Sequence, residues 1–196
     1  MPHISLLKPD DWPTLRMLRL SALRESPHAF LSTYEEESKY DDSKWRTEFA
    51  RGDWYVGMVR VESADKPVSI AGITRESGTP AHQCFLQYVW VAPEFRRQGI
   101  AFSMINEVLD RLKLSGVRTV SLGVLDGNRS AMRLYLRLGF VRSNHRQPLE
   151  EYPGRSEELM QLDLALTAAR SAVILRTSAA MPAERHESQA TRSACQ

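Results

Sequence analysis

The stretch Val89-Trp90-Val91-Ala92-Pro93-Glu94-Phe95-Arg96-Arg97-Gln98-Gly99-Ile100-Ala101 reads as a buried strand, a short turn and the opening of an amphipathic helix. The first backbone N–H groups of a helix lack partners and stand at the positive end of its dipole, so they attract phosphate. Carboxylates are the usual occupants of a first turn, yet no Asp or Glu falls between Phe95 and Asn106, and Arg96 and Arg97 stand there instead. That end is left open to an external anion. Gly99 lets a bulky phosphate approach the backbone, and Ala101 keeps the next position small.

The surrounding elements must hold this turn in place. His3 to Leu7 reads as a short strand, and Pro9-Asp10-Asp11 opens a helix with Leu15, Leu18, Leu20 and Leu23 at helical spacing until Pro27. Ala29 to Tyr40 shows no clear period and reads as a lid-like excursion, followed by a short helix over Ser43 to Ala50. Trp54 to Val61 and Val68 to Glu76 predict a hairpin joined by the polar Glu62 to Pro67 segment. Cys84 to Val91 is almost continuously apolar and predicts a central strand covered on both faces.

Ile100, Met104, Ile105, Val108, Leu109 and Leu112 then mark one face of a helix ending at Gly116, and Val120, Leu122 and Val124 alternate as a strand. Strand, helix, strand implies a parallel right-handed crossover. Asn128 caps a second helix to about Leu138, Phe140-Val141 starts another extended piece, and Glu157 to Leu164 closes the pattern.

With 196 residues the chain accommodates one domain and a remainder, and 42% apolar with 26% charged residues excludes disorder throughout. The net charge of +2 lies in Arg170, Arg176, Arg185 and Arg192 against Glu184 and Glu187, so the body to Leu166 is neutral. A neutral body argues against gripping a phosphate backbone, so no nucleic-acid partner is expected, and a nucleic-acid-associated factor using the tail arginines is the weakest of the readings. Cys84 and Cys195 cannot build a disulfide framework or a zinc site, and the histidines (His3, His28, His82, His145, His186) are scattered, so no metal site is expected. No apolar run approaches a membrane span, and the start of the chain does not read as a leader, which predicts a soluble cytoplasmic protein. Residues 167–196 have no aromatic residue and read as an Ala/Ser/Arg-rich tail, flexible or partly helical, anchored at most by Val173-Ile174-Leu175.

Arg96-Arg97-Gln98-Gly99-Ile100-Ala101 resembles the Q/R-x-x-G-x-G/A pyrophosphate loop of the GNAT superfamily of acetyl-CoA-dependent N-acetyltransferases. Asn128, Ala131, Leu134-Tyr135, Leu138 and Gly139-Phe140 are similar to its N-x-x-A-x-x-L-Y-x-x-x-G-F segment. The likeness spans roughly residues 3–164, within a domain taken as 1–166. It implies an α/β fold in which a mixed, mostly antiparallel twisted sheet splays between two central parallel strands, with helices on both faces. It also implies acetyl-CoA as cosubstrate, contacted by Val89, Val91, Arg96, Arg97, Gln98, Gly99, Ile100, Ala101, Phe102, Asn128 and Tyr135.

N-acetyl transfer needs a neutral amine, donors for the oxyanion and an acid for the departing thiolate. A phenol with a pKa near ~10 is protonated at neutral pH, and both this chemistry and the resemblance assign Tyr135 as that acid. Asn128, two helical turns and ~10 Å upstream, would line the same path. Some relatives carry a Glu five residues before that Asn; this chain has Gly123 there. Glu35, Glu36, Glu37 or Asp126 could act through water, and the Arg129, Arg133, Arg137 stripe could steer an anionic cofactor, although both the acidic run and the stripe read more naturally as solvated faces. With no cysteine in the motifs, direct attack in a ternary complex is expected, on a small amine, an antibiotic or a protein amine, with a homodimer left open. The acceptor pocket is expected from Ala29 to Ala50 and Val141 to Glu158. The rival reading, a binding module that holds acetyl-CoA without turnover, draws on the glycine at 123.

Overall fold

The computed structural model describes residues 3–149 and 152–165; the tail with Val173-Ile174-Leu175, and Cys195, lie outside them. The chain runs β1 (His3–Leu6), α1 (Trp12–Glu25), α2 (Tyr34–Glu37), α3 (Asp42–Phe49), β2 (Gly52–Val61), β3 (Ala64–Thr74), β4 (Gln83–Val91), α4 (Ile100–Leu114), β5 (Thr119–Leu125), α5 (Arg129–Arg137), β6 (Val141–Pro148) and β7 (Ser156–Asp163). Among the described residues seven strands form one sheet in the order β1-β2-β3-β4-β5-β7-β6, every pair antiparallel except β4 with β5. This is the expected mixed, mostly antiparallel α/β architecture, and the parallel pair is bridged by α4.

Alternation along the strands sorts the core into two layers. Tyr55, Ala71, Ile73, Leu86, Val120, Leu122 and Val124 pack with Met104, Ile105 and Val108 of α4, with Tyr135 of α5 and with Leu138 at its C-terminal cap. Trp54, Val56, Ile70 and Trp90 pack on the other face against Leu15, Leu18 and Ala22 of α1 and Trp45 and Phe49 of α3. Local signals set the helix starts: Asp41 accepts from the Lys44 amide at 2.7 Å to open α3, and Thr33 with Glu36 forms a reciprocal capping box on α2.

Three sequence expectations need correction. The polar residues Ala64 to Pro67 are strand, because pairing with β2 satisfies their backbone whatever their side chains, and the hairpin tightens to Glu62 and Ser63. Pro67, which cannot donate to a ladder, stands where the register shifts beside Met58. The apolar run of β4 is not covered on both faces throughout, since Gln87 is exposed and Tyr88 and Val89 only half-buried. The acidic run is not wholly solvated: Glu37 lies buried on α2, accepting a bidentate pair from buried Arg19 of α1 at 2.7 and 3.0 Å.

β4 and β5 share only three paired positions, Gln83 with Thr119, Cys84 with Val120 and Phe85 with Ser121, and then diverge. Against β3, Gln87 pairs with Gly72 but Trp90 pairs with Ile70, so Tyr88 and Val89 together oppose Ala71 in a bulge. Tyr88 takes a left-handed φ of 59°, which turns its ring into the α1 layer. There the Arg19 guanidinium lies between the Tyr88 ring, 4.5 Å from its centroid, and the Phe30 ring, 4.7 Å away. Because Arg19 is only 4% exposed, Glu37→Gln leaves a buried cation without its counter-charge and is expected to cost about 3–5 kcal/mol. Urea unfolding measures this, and the double replacement Arg19→Met with Glu37→Leu is expected to cost less than Glu37→Gln alone.

Candidate active site

The divergence of β4 from β5 opens a cleft of about 530 Å³. One wall is Val89, Trp90 and Val91 of β4; the floor continues through Phe95, Arg96, Arg97 and the start of α4 from Gly99 to Phe102; α5 supplies Asn128, Ser130, Ala131, Leu134, Tyr135 and Arg137. Ser26, Ala29 and Phe30, from the turn after α1, close the remaining side. All the residues expected to contact a cofactor line this cleft except Gln98, whose amide reaches back to the Glu94 carbonyl at 3.3 Å.

Gly99 is the N-cap of α4 with φ of 78°, and no side chain caps the helix there. No acidic residue stands in its first turn, and a Cβ placed on Gly99 would meet nothing within 4 Å. The helix start is therefore both positively polarised and sterically open, which is what an anion bearing several oxygens requires. Arg97, also left-handed at φ 61°, stays exposed beside it.

Arg96 is engaged within the protein. Its Nε donates to the Val91 carbonyl at 2.8 Å, and its guanidinium pairs with Glu25 at the end of α1. Burial alone would raise the Glu25 carboxyl, but hydrogen bonds from Arg96, Ser26 and Trp90 hold it below its ordinary value. Glu25 is a residue that sequence reasoning passed over. Its partners stand 65 and 71 positions away, a separation at which no motif is legible.

Across the cleft, the Asn128 side chain accepts from the Ala131 amide at 3.2 Å and so caps α5. Its carboxamide oxygen also takes the Ser130 hydroxyl at 3.2 Å. Tyr135 is 7% exposed, packs edge-on against Phe140 at 5.7 Å and lines the cleft. Burial pushes its phenol well above the ordinary tyrosine value, so it carries its proton throughout the neutral range. Arg137, expected on a solvated stripe, instead lines the cleft with its guanidinium 4.5 Å from the Phe102 ring centroid.

The Acetyltransferase (GNAT) family model matches residues 17–140. The chain belongs to that family, whose cosubstrate is acetyl-CoA. It is 35% identical over 80 residues to L-2,4-diaminobutyric acid acetyltransferase of Vibrio parahaemolyticus, covering 40% of this chain and 44% of that one. It is 40% identical over 55 residues to thialysine N-epsilon-acetyltransferase of Bos taurus, covering 28% of this chain and 32% of the relative. The chain thus spans less than half the length of these relatives. In fold it is similar to ribosomal-protein-S18-alanine N-acetyltransferase of Escherichia coli, with TM-score 0.60, 20% identity and 84% and 94% of the two chains covered. It is also similar to yncA of Salmonella typhimurium, solved with its cofactor acetyl-CoA, with TM-score 0.65, 15% identity and 100% and 99% covered. No described helix is long and apolar enough to cross a membrane, and no group of three or more potential metal ligands occurs among the described residues.

The open N-terminus of α4 leads to a binding test. Gly99→Glu places a carboxylate on the positive helix end and strains a left-handed position. Acetyl-CoA binding by calorimetry is expected to be lost, while the folded far-ultraviolet spectrum persists because the added side chain meets open space.

Proposed function

We propose that the chain transfers an acetyl group from acetyl-CoA to a primary amine by direct attack in a ternary complex. The observation that carries this reading is the convergence, in one cleft, of the uncapped α4 start and the buried Tyr135. In this reading the free N–H groups of Gly99 to Phe102 hold the pyrophosphate, helped by exposed Arg97 and cleft-lining Arg137. The bulged Val89 offers its backbone groups to the pantetheine arm, and Val91, whose carbonyl is taken by Arg96, offers its N–H to the acetyl carbonyl, because β5 no longer pairs with that part of β4.

Tyr135 then donates its proton to the departing thiolate. Burial keeps its phenol protonated at neutral pH, and its position on the cleft wall puts the hydroxyl on the side where α5 faces the start of α4. Asn128 fixes the first turn of α5 and so the direction from which Tyr135 enters the cleft.

Direct transfer is supported by the state of Cys84. Burial pushes its thiol up to about 11, and it stands in the α4 core layer rather than in the cleft. A thiol of that kind is not a nucleophile at neutral pH. The acceptor class is supported by the relatives, which are named for acetylating the amino acids L-2,4-diaminobutyric acid and thialysine. An amine of that kind, free or on a protein, is the proposed acceptor, and incubation of L-2,4-diaminobutyrate, thialysine and an amino-terminal peptide with acetyl-CoA, read by thiol release, tests it.

Tyr135→Phe keeps the ring contact with Phe140 and removes only the hydroxyl. Acetyl-CoA affinity is expected to stay unchanged while the saturating rate falls by ~10²–10⁴. Rates of both proteins at saturating amine decide it; a variant within a few-fold of the wild type removes Tyr135 as the acid.

A further inference from the structure

A glycine occupies position 123 on β5, but the space of its missing side chain is filled. A Cβ there would approach the Glu157 carboxylate carbon to 2.6 Å, so the Glu157 side chain lies over the β5 backbone in the space that a side chain at 123 would take. Glu157 belongs to β7 and is directly opposite Leu125 in the antiparallel register. Leu122 and Val124 point into the α4 and α5 core, and with two-residue alternation Gly123, Leu125 and Glu157 belong to the opposite face. Gly123 also stands two residues past Ser121, the last position at which β5 pairs with β4, and so within the divergent stretch. Two residues before Glu157, Arg155 donates to the carbonyls of Phe30 at 2.8 Å and His28 at 3.0 Å. The start of β7 is thereby held beside the turn whose Phe30 lines the cleft.

The carboxylates near this region differ in one respect. Glu37 is locked by Arg19, Glu48 is shared by Lys44 and Arg51, Glu25 is paired with Arg96, Asp126 with Arg146, and Glu158 with Arg142. Among the described residues Glu157 has no cation; its Oε1 accepts from the neutral Gln147 amide at 2.9 Å, and its Oε2 lies over Gly123 without a donor. An acyl acceptor amine has a pKa near ~10 and arrives as an ammonium ion at neutral pH, so a carboxylate with an unengaged oxygen both attracts it and can take its proton.

We propose that Glu157, supplied by β7 and admitted by the side-chain-free Gly123, is the proton acceptor for the incoming amine. The assignment rests on the acetyl-transfer reading above. One ammonium proton passes to Glu157, directly or through one water, and leaves the lone pair on nitrogen. The nitrogen–carbon bond forms as the carbon–sulfur bond breaks; Tyr135 gives its proton to sulfur and recovers one from the acylated nitrogen. Glu157 releases its proton to solvent, so the net products are the amide, the free thiol and one proton. Gln147 orients the carboxylate and leaves its charge in place.

The test is Glu157→Gln, which keeps the shape and removes the base. Acetyl-CoA affinity by calorimetry is expected to be unchanged, whereas kcat/KM for the accepted amine at pH 7 falls by ~10²–10⁴. That deficit is expected to shrink as the pH approaches the amine's own pKa, where the free base is supplied by solvent. The double variant Glu157→Ala with Gly123→Glu returns a carboxylate to the same space from β5 and is expected to recover part of the rate at neutral pH. A rate within a few-fold of wild type, or a deficit equal at every pH and not rescued, overturns the assignment. If the wild-type protein binds acetyl-CoA and releases no thiol with any amine, the transfer reading falls and this assignment with it; an active wild type with a fully active Glu157→Gln overturns the assignment alone.

Discussion

Two neighbouring parallel strands that stop exchanging hydrogen bonds leave backbone groups which must find other partners or line a cavity. In this protein β4 and β5 part after Phe85 and Ser121, and the cleft follows from that parting. The bulge at Tyr88 and Val89 is the means: two residues of β4 oppose one of β3, the strand bends, and Tyr88 crosses to the α1 face while Val89 lines the gap. A left-handed tyrosine is unfavourable for the isolated chain, so it persists only where its surroundings over-determine it.

Those surroundings are electrostatic as much as apolar. Arg19, paired with Glu37 and stacked between Tyr88 and Phe30, ties the α1 layer to the bulge and to the turn that closes the cleft. At the other end of the same helix Glu25 holds both the Trp90 indole and the Arg96 guanidinium. Helix α1 therefore fixes β4 at two points, one beside the bulge and one beside the turn that leads into α4. The two arginines of that turn have different tasks: Arg96 is part of the scaffold and Arg97 faces solvent.

The far side of the cleft depends on a helix of only nine residues, α5. Asn128 caps it, Tyr135 and Leu138 bury one side in the α4 layer, and Arg137 extends over Phe102 of α4. A helix this short is marginal alone, so its direction is set by packing and by the cap, and the Tyr135 hydroxyl inherits that direction. The side of the cleft closed by Phe30 is held by contacts between remote segments, with Arg155 joining β7 to the turn after α1.

Much of this was legible in residue order alone. The period of α1 and α4, the alternation in β5, the Asn128 cap and the carboxylate-free start at Gly99 are local properties, readable because side-chain spacing and helix-end chemistry act over a few residues. The turn and Tyr135 lie on the two elements that flank β5 in the chain, and it was the resemblance of their motifs to one family that joined them into one site. Other features were beyond reach. The fate of Glu37 depended on a partner eighteen residues earlier that only helix packing brings to it, and the role of Arg96 on a glutamate 71 residues away. Glu157 lies over Gly123 because the β5–β7 register puts it there, and register is set by which faces are buried, a property of the assembled sheet rather than of any segment. The sequence by itself determined which helix start is left without a capping side chain or a carboxylate and which helices flank it; only the tertiary structure decided which charges are neutralised by neighbours, because pairing of charges depends on distances that exist only after the sheet has closed its register.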